Sequence, residues 1–464
     1  MAKMKKNEII LWALVALALA ANIWLPRQRK AYSWDKDLKQ RLAVDFDRTR
    51  DEVKDWITKY IPDVTDEQID AWTASNTLEN MQIGNRTMYF HNAAPNLFRI
   101  VPELVALKDS VDAANKPGYD PKALSGHQID DAKAIPMIKE DVQAALASGK
   151  ENPFIAQPRR MRVTFSLTIP ANTLRRGSTL RCWLPYPRND VARQTGIKLI
   201  RAGIDSTDIA EDKLVFSDPA CHHSSIYFES KVREGRPTTF YEVFEYTSAG
   251  EWHPVDPSTV LPYDTESAVY KENTSERPTQ IVFSDRIRNL ADSLTGGIDN
   301  PYLQAKAIYA WVDKFPWASA REYSTIENIP EYVLDNRHGD CGQQTLLFVT
   351  LCRSKGIPAR WQSGLMLHPS GRNLHDWCEV YFEGHGWMPV DQSFGQTPYG
   401  GFFYFGGIDP YRLVFNNDFG GEFSPAKKYP RSETVDFQRG EVEWEGGNLY
   451  FHLWDYHFSV EYLD

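Results

Sequence analysis

The sequence predicts an α+β multidomain protein, and three observations support that fold class. Its 464 residues are enough for two to four domains of roughly 100 to 200 residues each. Apolar residues recur at helical spacing up to about residue 155, alternate with period two from Met161, and return to helical spacing after residue 280. Aromatic residues make up 13% of the chain, a composition that argues against long disordered segments.

The first 25 residues have the composition of a targeting segment. Three lysines among the first six residues precede an uncharged run from Ile9 to Leu25, which contains the small residues Ala18 and Ala20. This order is typical of a secretory signal peptide. The run is also close to the shortest length that spans a bilayer, so an uncleaved membrane anchor through residues 9–25 is the alternative. We therefore expect an extracytoplasmic protein, periplasmic or secreted, or one that its N-terminus anchors in a membrane.

Two regions follow this segment. Apolar residues at near-helical spacing from Leu38 to Tyr60 predict a helical N-terminal region over residues 32–155. Period-two alternation in Met161–Ile169 predicts a β-sandwich-like domain over residues 160–255. The Cys-His-His run at 221–223 is interpreted as a surface loop, because no second Cys/His pair in that domain stands at a metal-binding spacing.

Helical and strand patterns then alternate over residues 279–400, where a short helix is expected at Ile329–Asn336. Residues 401–464 are rich in aromatic residues. The pair Gly446-Gly447 near their end suits a hairpin turn. This part of the chain is predicted to be a β-rich C-terminal extension.

Charge and cysteine content exclude some function classes. The formal net charge is −10, and no long basic face is present, so a nucleic-acid partner is not expected. The five cysteines are odd in number and irregularly spaced, which is not the pattern of a disulfide framework. An unpaired thiol in an exported chain is a candidate for chemistry.

The best candidate thiol is Cys341. It follows the turn-forming pair Gly339-Asp340 and precedes a helical pattern that stops at Gly356 and Pro358. Cys341 is therefore expected at the N-terminus of a helix. The helix dipole and free backbone N–H groups there are expected to lower the pKa of the thiol.

Two further residues complete a nucleophilic constellation. His375 opens one predicted strand, and Asp391 ends the next. A thiol, an imidazole base and a carboxylate that orients the imidazole are the groups that thiol acyl transfer needs. Each residue alone has an ordinary structural explanation, so the hypothesis depends on all three together.

Four motifs in order resemble the transglutaminase-like superfamily of papain-related thiol enzymes. They are Gly-Asp-Cys-Gly, Lys-Gly-Ile-Pro-Ala-Arg, His-x-Trp-x-Glu-Val-Tyr and Gly-Trp-x-x-Val-Asp, within about residues 280–400. The resemblance implies a transglutaminase-like (papain-like) core, with Cys341, His375 and Asp391 as the catalytic triad. The chain departs from the family pattern at Asp376, where Ala is frequent, and at Gln392, where Pro is frequent.

Together with the N-terminal segment, the resemblance implies an exported cysteine enzyme that attacks amide carbonyls of a protein or peptide through a thioester, with hydrolysis or acyl transfer as the outcome. The alternative is a non-catalytic peptide-binding module on the same fold. Two His-x-x-Cys pairs, which include Cys341 and Cys378, would suit zinc, but residues three apart on a strand point to opposite faces. No metal site and no cofactor are therefore predicted, and Cys352 and Cys378 are expected to be core residues.

Overall fold

The computed structural model describes residues 37–463. The predicted targeting segment, residues 1–25, lies outside this range. Within the described range, no helix combines the length and apolar character needed to cross a membrane. The architecture is α+β and multidomain, with helices and several antiparallel sheets.

The described part of the N-terminal region contains six helices and one hairpin. The elements are α1 (Leu38–Asp45), α2 (Arg50–Ile57), α3 (Asp66–Ala74), β1 (Asn80–Ile83), β2 (Arg86–Tyr89), α4 (Ala93–Ile100), α5 (Pro102–Asn115) and α6 (Gly126–Ala147). Capping boxes at Thr49 and Thr65 define the starts of α2 and α3. Ile135 and Ile138 of α6 pack in a hydrophobic cluster with Phe403 and Tyr404, so this helix is joined to the C-terminal part of the chain.

Two antiparallel sheets form the middle of the molecule. Their longer strands are β3 (Ile155–Ile169), β4 (Thr179–Pro185), β5 (Gln194–Ile204), β8 (Ser225–Lys231) and β9 (Thr238–Trp252), with short strands β6 (Thr207–Asp208) and β7 (Val215–Phe216). Alternate residues of β3 and β9, such as Phe165 and Phe244, lie in one hydrophobic core with Ile226 of β8. The period-two pattern of the sequence reflects this burial of one face.

Four of the described C-terminal strands belong to the same two sheets. Strands β15 (Glu441–Trp444) and β16 (Gly447–Leu449) extend the β4 sheet, and β17 (Asp455–Tyr462) pairs along β3. Strand β13 (Gly407–Ile408) pairs with β9. Residues 401–464 therefore contribute strands to the sheets of the region 160–255.

The remaining elements build the core that carries the candidate site. Its helices are α7 (Ala268–Asn273), α8 (Asp285–Thr295), α9 (Pro301–Val312), α10 (Ile329–Asn336) and α11 (Cys341–Ser354). A four-stranded antiparallel sheet has the order β12-β11-β10-β14, made of β10 (Ala359–His368), β11 (Gly371–Phe382), β12 (Gly386–Val390) and β14 (Arg412–Asn417). Residues 342–353 of α11 are all buried, as expected for a helix enclosed on all sides.

The Cys-His-His run differs from its predicted surface position. The His223 side chain is fully buried, and its ring nitrogens lie 2.8 Å from Asn416 Oδ1 and 2.7 Å from the Gly420 carbonyl oxygen. The prediction of a surface loop is therefore wrong for His223. Its two partners come from the C-terminal part of the chain, which local sequence around residue 223 does not reveal.

Candidate active site

Cys341 is the first residue of α11, as the sequence predicts. Asp340 caps this helix, because its Oδ1 accepts a hydrogen bond from the Gln343 backbone N–H at 3.0 Å and the Gln343 side chain bonds back to the cap residue. Cys341 is half-buried and lines a cavity of about 930 Å³. The thiol donates a hydrogen bond to Asp376 Oδ2 at 3.5 Å.

His375 and Asp391 come together across neighbouring strands. His375 lies on β11, and Asp391 is the first residue after β12. His375 Nε2 is 2.6 Å from Asp391 Oδ2, and both side chains are buried. His375 also lines the cavity that contains Cys341. The thiol and the imidazole therefore face one space, with the carboxylate behind the imidazole.

The cavity is enclosed by three parts of the chain. Its walls include Arg41 and His127 from the N-terminal region and Glu433 and Arg439 from the C-terminal part, in addition to the core residues. The cavity therefore extends beyond the predicted core of residues 279–400.

The sequence profile of the transglutaminase-like superfamily matches residues 288–392, a segment that includes Cys341, His375 and Asp391. This core is transglutaminase-like.

Two curated relatives are each 26% identical to parts of the chain. They are the uncharacterized protein YebA of Bacillus subtilis, over 153 residues (29% of this chain, 20% of YebA), and a protein-glutamine gamma-glutamyltransferase of Pseudomonas aeruginosa, over 125 residues (24% of this chain, 19% of that enzyme). The matches span about a fifth of the length of these relatives.

Solved structures with a similar arrangement include a candidate cysteine protease of Cytophaga hutchinsonii, which is 16% identical with a TM-score of 0.44 and covers 67% of this chain and 93% of that one. The periplasmic domain of TgpA from Pseudomonas aeruginosa is 18% identical with a TM-score of 0.25, over 51% of this chain and 88% of that one. Both TM-scores are below 0.5, so the transglutaminase-like assignment depends on the sequence match of residues 288–392.

The ionisation of the transglutaminase-like site differs from the sequence expectation. Burial, together with the Asp376 and Asp340 carboxyls, raises the pKa of the Cys341 thiol well above its usual value. The predicted lowering by the helix N-terminus is therefore wrong. Burial also lowers the pKa of His375, even though Asp391 opposes this shift. Both pKa shifts favour the neutral thiol and the neutral imidazole.

Asp391 remains ionised despite its complete burial. Burial alone would raise its pKa, but the nearby His375 and Arg412 hold the pKa of Asp391 below the usual value. Ser393 Oγ donates to its Oδ1 at 2.8 Å, and Arg412 Nη1 donates to its Oδ2 at 2.8 Å. The carboxylate is therefore held from three directions, which suits a group that orients the imidazole.

Arg412 is a site residue that sequence reasoning missed. It lies on β14, beyond the predicted core boundary at residue 400, and its guanidinium is fully buried. Its Nε donates to Asp409 Oδ2 at 2.6 Å. The pairing of β14 with β10 brings Arg412 opposite Met366 and behind Asp391. Nothing in the local sequence indicates this long-range pairing.

A second buried cluster continues from Arg412 towards α6. His368 Nε2 lies 3.1 Å from Asp131 Oδ1 and 3.3 Å from Asp409 Oδ1, and the Tyr404 hydroxyl donates to Asp131 Oδ2 at 2.6 Å. Ligand atoms of Asp131, His368 and Asp409 lie within 4.8 Å of one another, a distance compatible with a metal ion. The Asp409 carboxylate already accepts a hydrogen bond from Arg412, and the Asp131 carboxylate accepts one from Tyr404. We therefore interpret the cluster as an ion-pair network. It connects the N-terminal region to the site.

Proposed function

We propose that the protein is an exported thiol enzyme that attacks amide carbonyls of protein or peptide substrates, with Cys341 as nucleophile, His375 as base and Asp391 as orienting carboxylate. One observation carries this proposal. His375 is hydrogen-bonded to Asp391 at 2.6 Å and shares a cavity of about 930 Å³ with Cys341. The match of residues 288–392 to the transglutaminase-like superfamily supports the same roles.

The chemistry follows from these positions. His375 Nε2 is engaged with Asp391, so Nδ1 is the nitrogen available to accept the thiol proton. The Cys341 sulfur then bonds to the carbonyl carbon, and the carbonyl π electrons move to oxygen. His375 returns the proton to the leaving amine as the C–N bond breaks, which leaves a thioester. Water or a second amine then attacks the thioester and releases Cys341.

The start of α11 supplies one donor for the oxyanion. The backbone N–H of Cys341 belongs to the first turn of the helix, where N–H groups have no intrahelical acceptor. Such a donor stabilises the negative charge of a tetrahedral intermediate.

The experiment is incubation of the purified chain with peptides that contain glutamine and lysine, followed by mass spectrometry. A thioester adduct on Cys341, with ammonia or a peptide fragment released, would support the proposal. Added primary amine separates the outcomes, since acyl transfer incorporates the amine and hydrolysis does not. Peptide binding without any adduct or turnover would overturn the enzyme proposal and indicate a binding module. Cys378→Ala is the matched control, because Cys378 is a buried thiol that bonds to the Val390 carbonyl oxygen.

A further inference from the structure

Asp376 lies beside the nucleophile at a position where the family frequently has alanine. It follows His375 on β11, and its side chain is buried. Its Oδ2 is 3.5 Å from Cys341 Sγ. Its Oδ1 accepts a hydrogen bond at 2.7 Å from the Gln438 amide, which also donates to the His375 carbonyl oxygen. Gln438 therefore fixes the orientation of the carboxyl, with one oxygen turned towards the sulfur.

Asp376 Oδ2 receives little support from the nearby Tyr323 hydroxyl. The Tyr323 oxygen is 2.6 Å from Asp340 Oδ1 and 3.4 Å from Asp376 Oδ2. A tyrosine hydroxyl has one proton to donate, and the shorter contact to Asp340 uses it. Tyr323 therefore offers Asp376 Oδ2 only a weak hydrogen bond, and this oxygen lies near the Asp340 carboxyl, an arrangement that favours a neutral Asp376.

The carboxyl groups around Asp376 favour its neutral state. The cavity that Asp376 lines is also lined by Asp340 at the start of α11 and by Glu433 and Asp436 of the C-terminal segment. Arg439 pairs with Glu433 at 2.8 Å, which leaves an excess of carboxyl groups around Asp376. Burial, and then Asp436 and Asp340, raise the pKa of Asp376 well above its usual value.

We propose that Asp376 is a further catalytic residue, a neutral carboxylic acid that donates a hydrogen bond from Oδ2 to the negative charge that develops on Cys341 Sγ. The proposal rests on the proposed function, in which Cys341 is the nucleophile. The thiol proton passes to His375 Nδ1, and Asp376 keeps its own proton throughout the attack. A carboxylic acid that its site keeps neutral is an effective donor to such a charge. An ionised Asp376 at the same distance would instead repel the thiolate.

This role predicts an unusual pH dependence. Activity requires the neutral acid, so the rate falls as pH rises through the pKa of Asp376. In Asp376→Asn, the amide Oδ1 still accepts from Gln438 and the NH₂ group still donates towards the sulfur. Because an amide does not ionise in this range, the alkaline fall should move to higher pH in this variant.

The test is the rate of acyl-enzyme formation against pH, measured for the full chain and three variants at matched folded content. We expect Asp376→Asn to stay within about tenfold of the unaltered rate, and Asp376→Ala to lose about 100-fold, a typical loss for a charge-stabilising donor. Asp436→Asn should move the alkaline fall to lower pH, because removal of a neighbouring negative charge makes Asp376 easier to ionise.

Equal losses in the Asn and Ala variants, or an alkaline fall that Asp376→Asn leaves in place, would overturn the role of Asp376 while Cys341 remained the nucleophile. If Asp376→Ala does not fold, the pH profiles of the two Asn variants decide the matter. If the unaltered chain forms no acyl-enzyme at any pH, the proposed function and this inference both fail.

Discussion

Arg412 and His375 donate to the same oxygen of Asp391. Arg412 Nη1 lies 2.8 Å and His375 Nε2 lies 2.6 Å from Asp391 Oδ2. The arginine holds the carboxylate in place, and its positive charge lowers the pKa of the neighbouring imidazole. The orienting group of the proposed triad is thus positioned by a strand from the C-terminal part of the chain.

Arg412→Met should both destabilise the fold and change the pKa of His375. Removal of one partner from a buried ion pair leaves an uncompensated charge and typically costs about 3–5 kcal/mol. The loss of positive charge should also raise the pKa of His375, so the acid limb of activity should move to higher pH. Urea unfolding and the pH profile of acyl-enzyme formation measure the two effects.

Arg286→Met is the matched control for that variant, because Arg286 forms an exposed ion pair with Asp335. Its effect on the free energy of unfolding should stay within about 1 kcal/mol. An unmoved acid limb in Arg412→Met at full folded content would contradict the influence of Arg412 on His375.

Substitutions in the proposed triad should have graded effects. Cys341→Ala should abolish turnover with the fold preserved, since a small residue replaces a small one at a helix start. His375→Ala should be nearly as severe, and Asp391→Asn should be milder, because base and nucleophile remain but are poorly aligned. Single-turnover acyl-enzyme formation at matched folded content measures the series.

Cys352→Ala is a control for the triad series, since Cys352 is fully buried on the same helix as Cys341. It should keep its activity apart from packing losses. A thioester that persists in Cys341→Ala would refute the assignment of the nucleophile.

His368 should make stability depend on pH above neutrality. Burial opposes its charge, but Asp409 and Asp131 prevail and raise the pKa of His368 to about 9, from about 6.5 in an unfolded chain. Because the folded pKa is the higher one, the stabilisation is complete below about pH 6.5 and is lost as pH rises through about 9. As pH rises between these two values, the melting temperature of the unaltered protein should fall. The melting temperature of His368→Gln should change less. Parallel curves for the two proteins would argue against a charged His368.

The N-terminal segment makes a prediction about location. If residues 9–20 belong to a cleaved signal peptide, the exported chain should begin shortly after Ala20. Mass spectrometry of the protein recovered outside the cytoplasm gives its first residue. An intact N-terminus in the membrane fraction would establish the anchor instead.

The sequence alone determined the local elements that carry the proposed triad. Turn residues and helical periodicity placed Cys341 at a helix start, and alternation placed His375 on a strand and Asp391 at the end of the next. The helix at Ile329–Asn336 was also predictable, because capping and burial patterns depend on residues a few positions apart.

Only the tertiary structure decided the environment of these residues. Arg412 reaches Asp391 through the pairing of β14 with β10, and Glu433 and Asp436 reach Asp376 from a segment about 60 residues away in the chain. Local periodicity carries no information about which distant strands pair. For this reason the sequence indicated a thiol with a lowered pKa, whereas burial and the neighbouring carboxyls raise it. Desolvation and contact with charges are properties of the assembled fold.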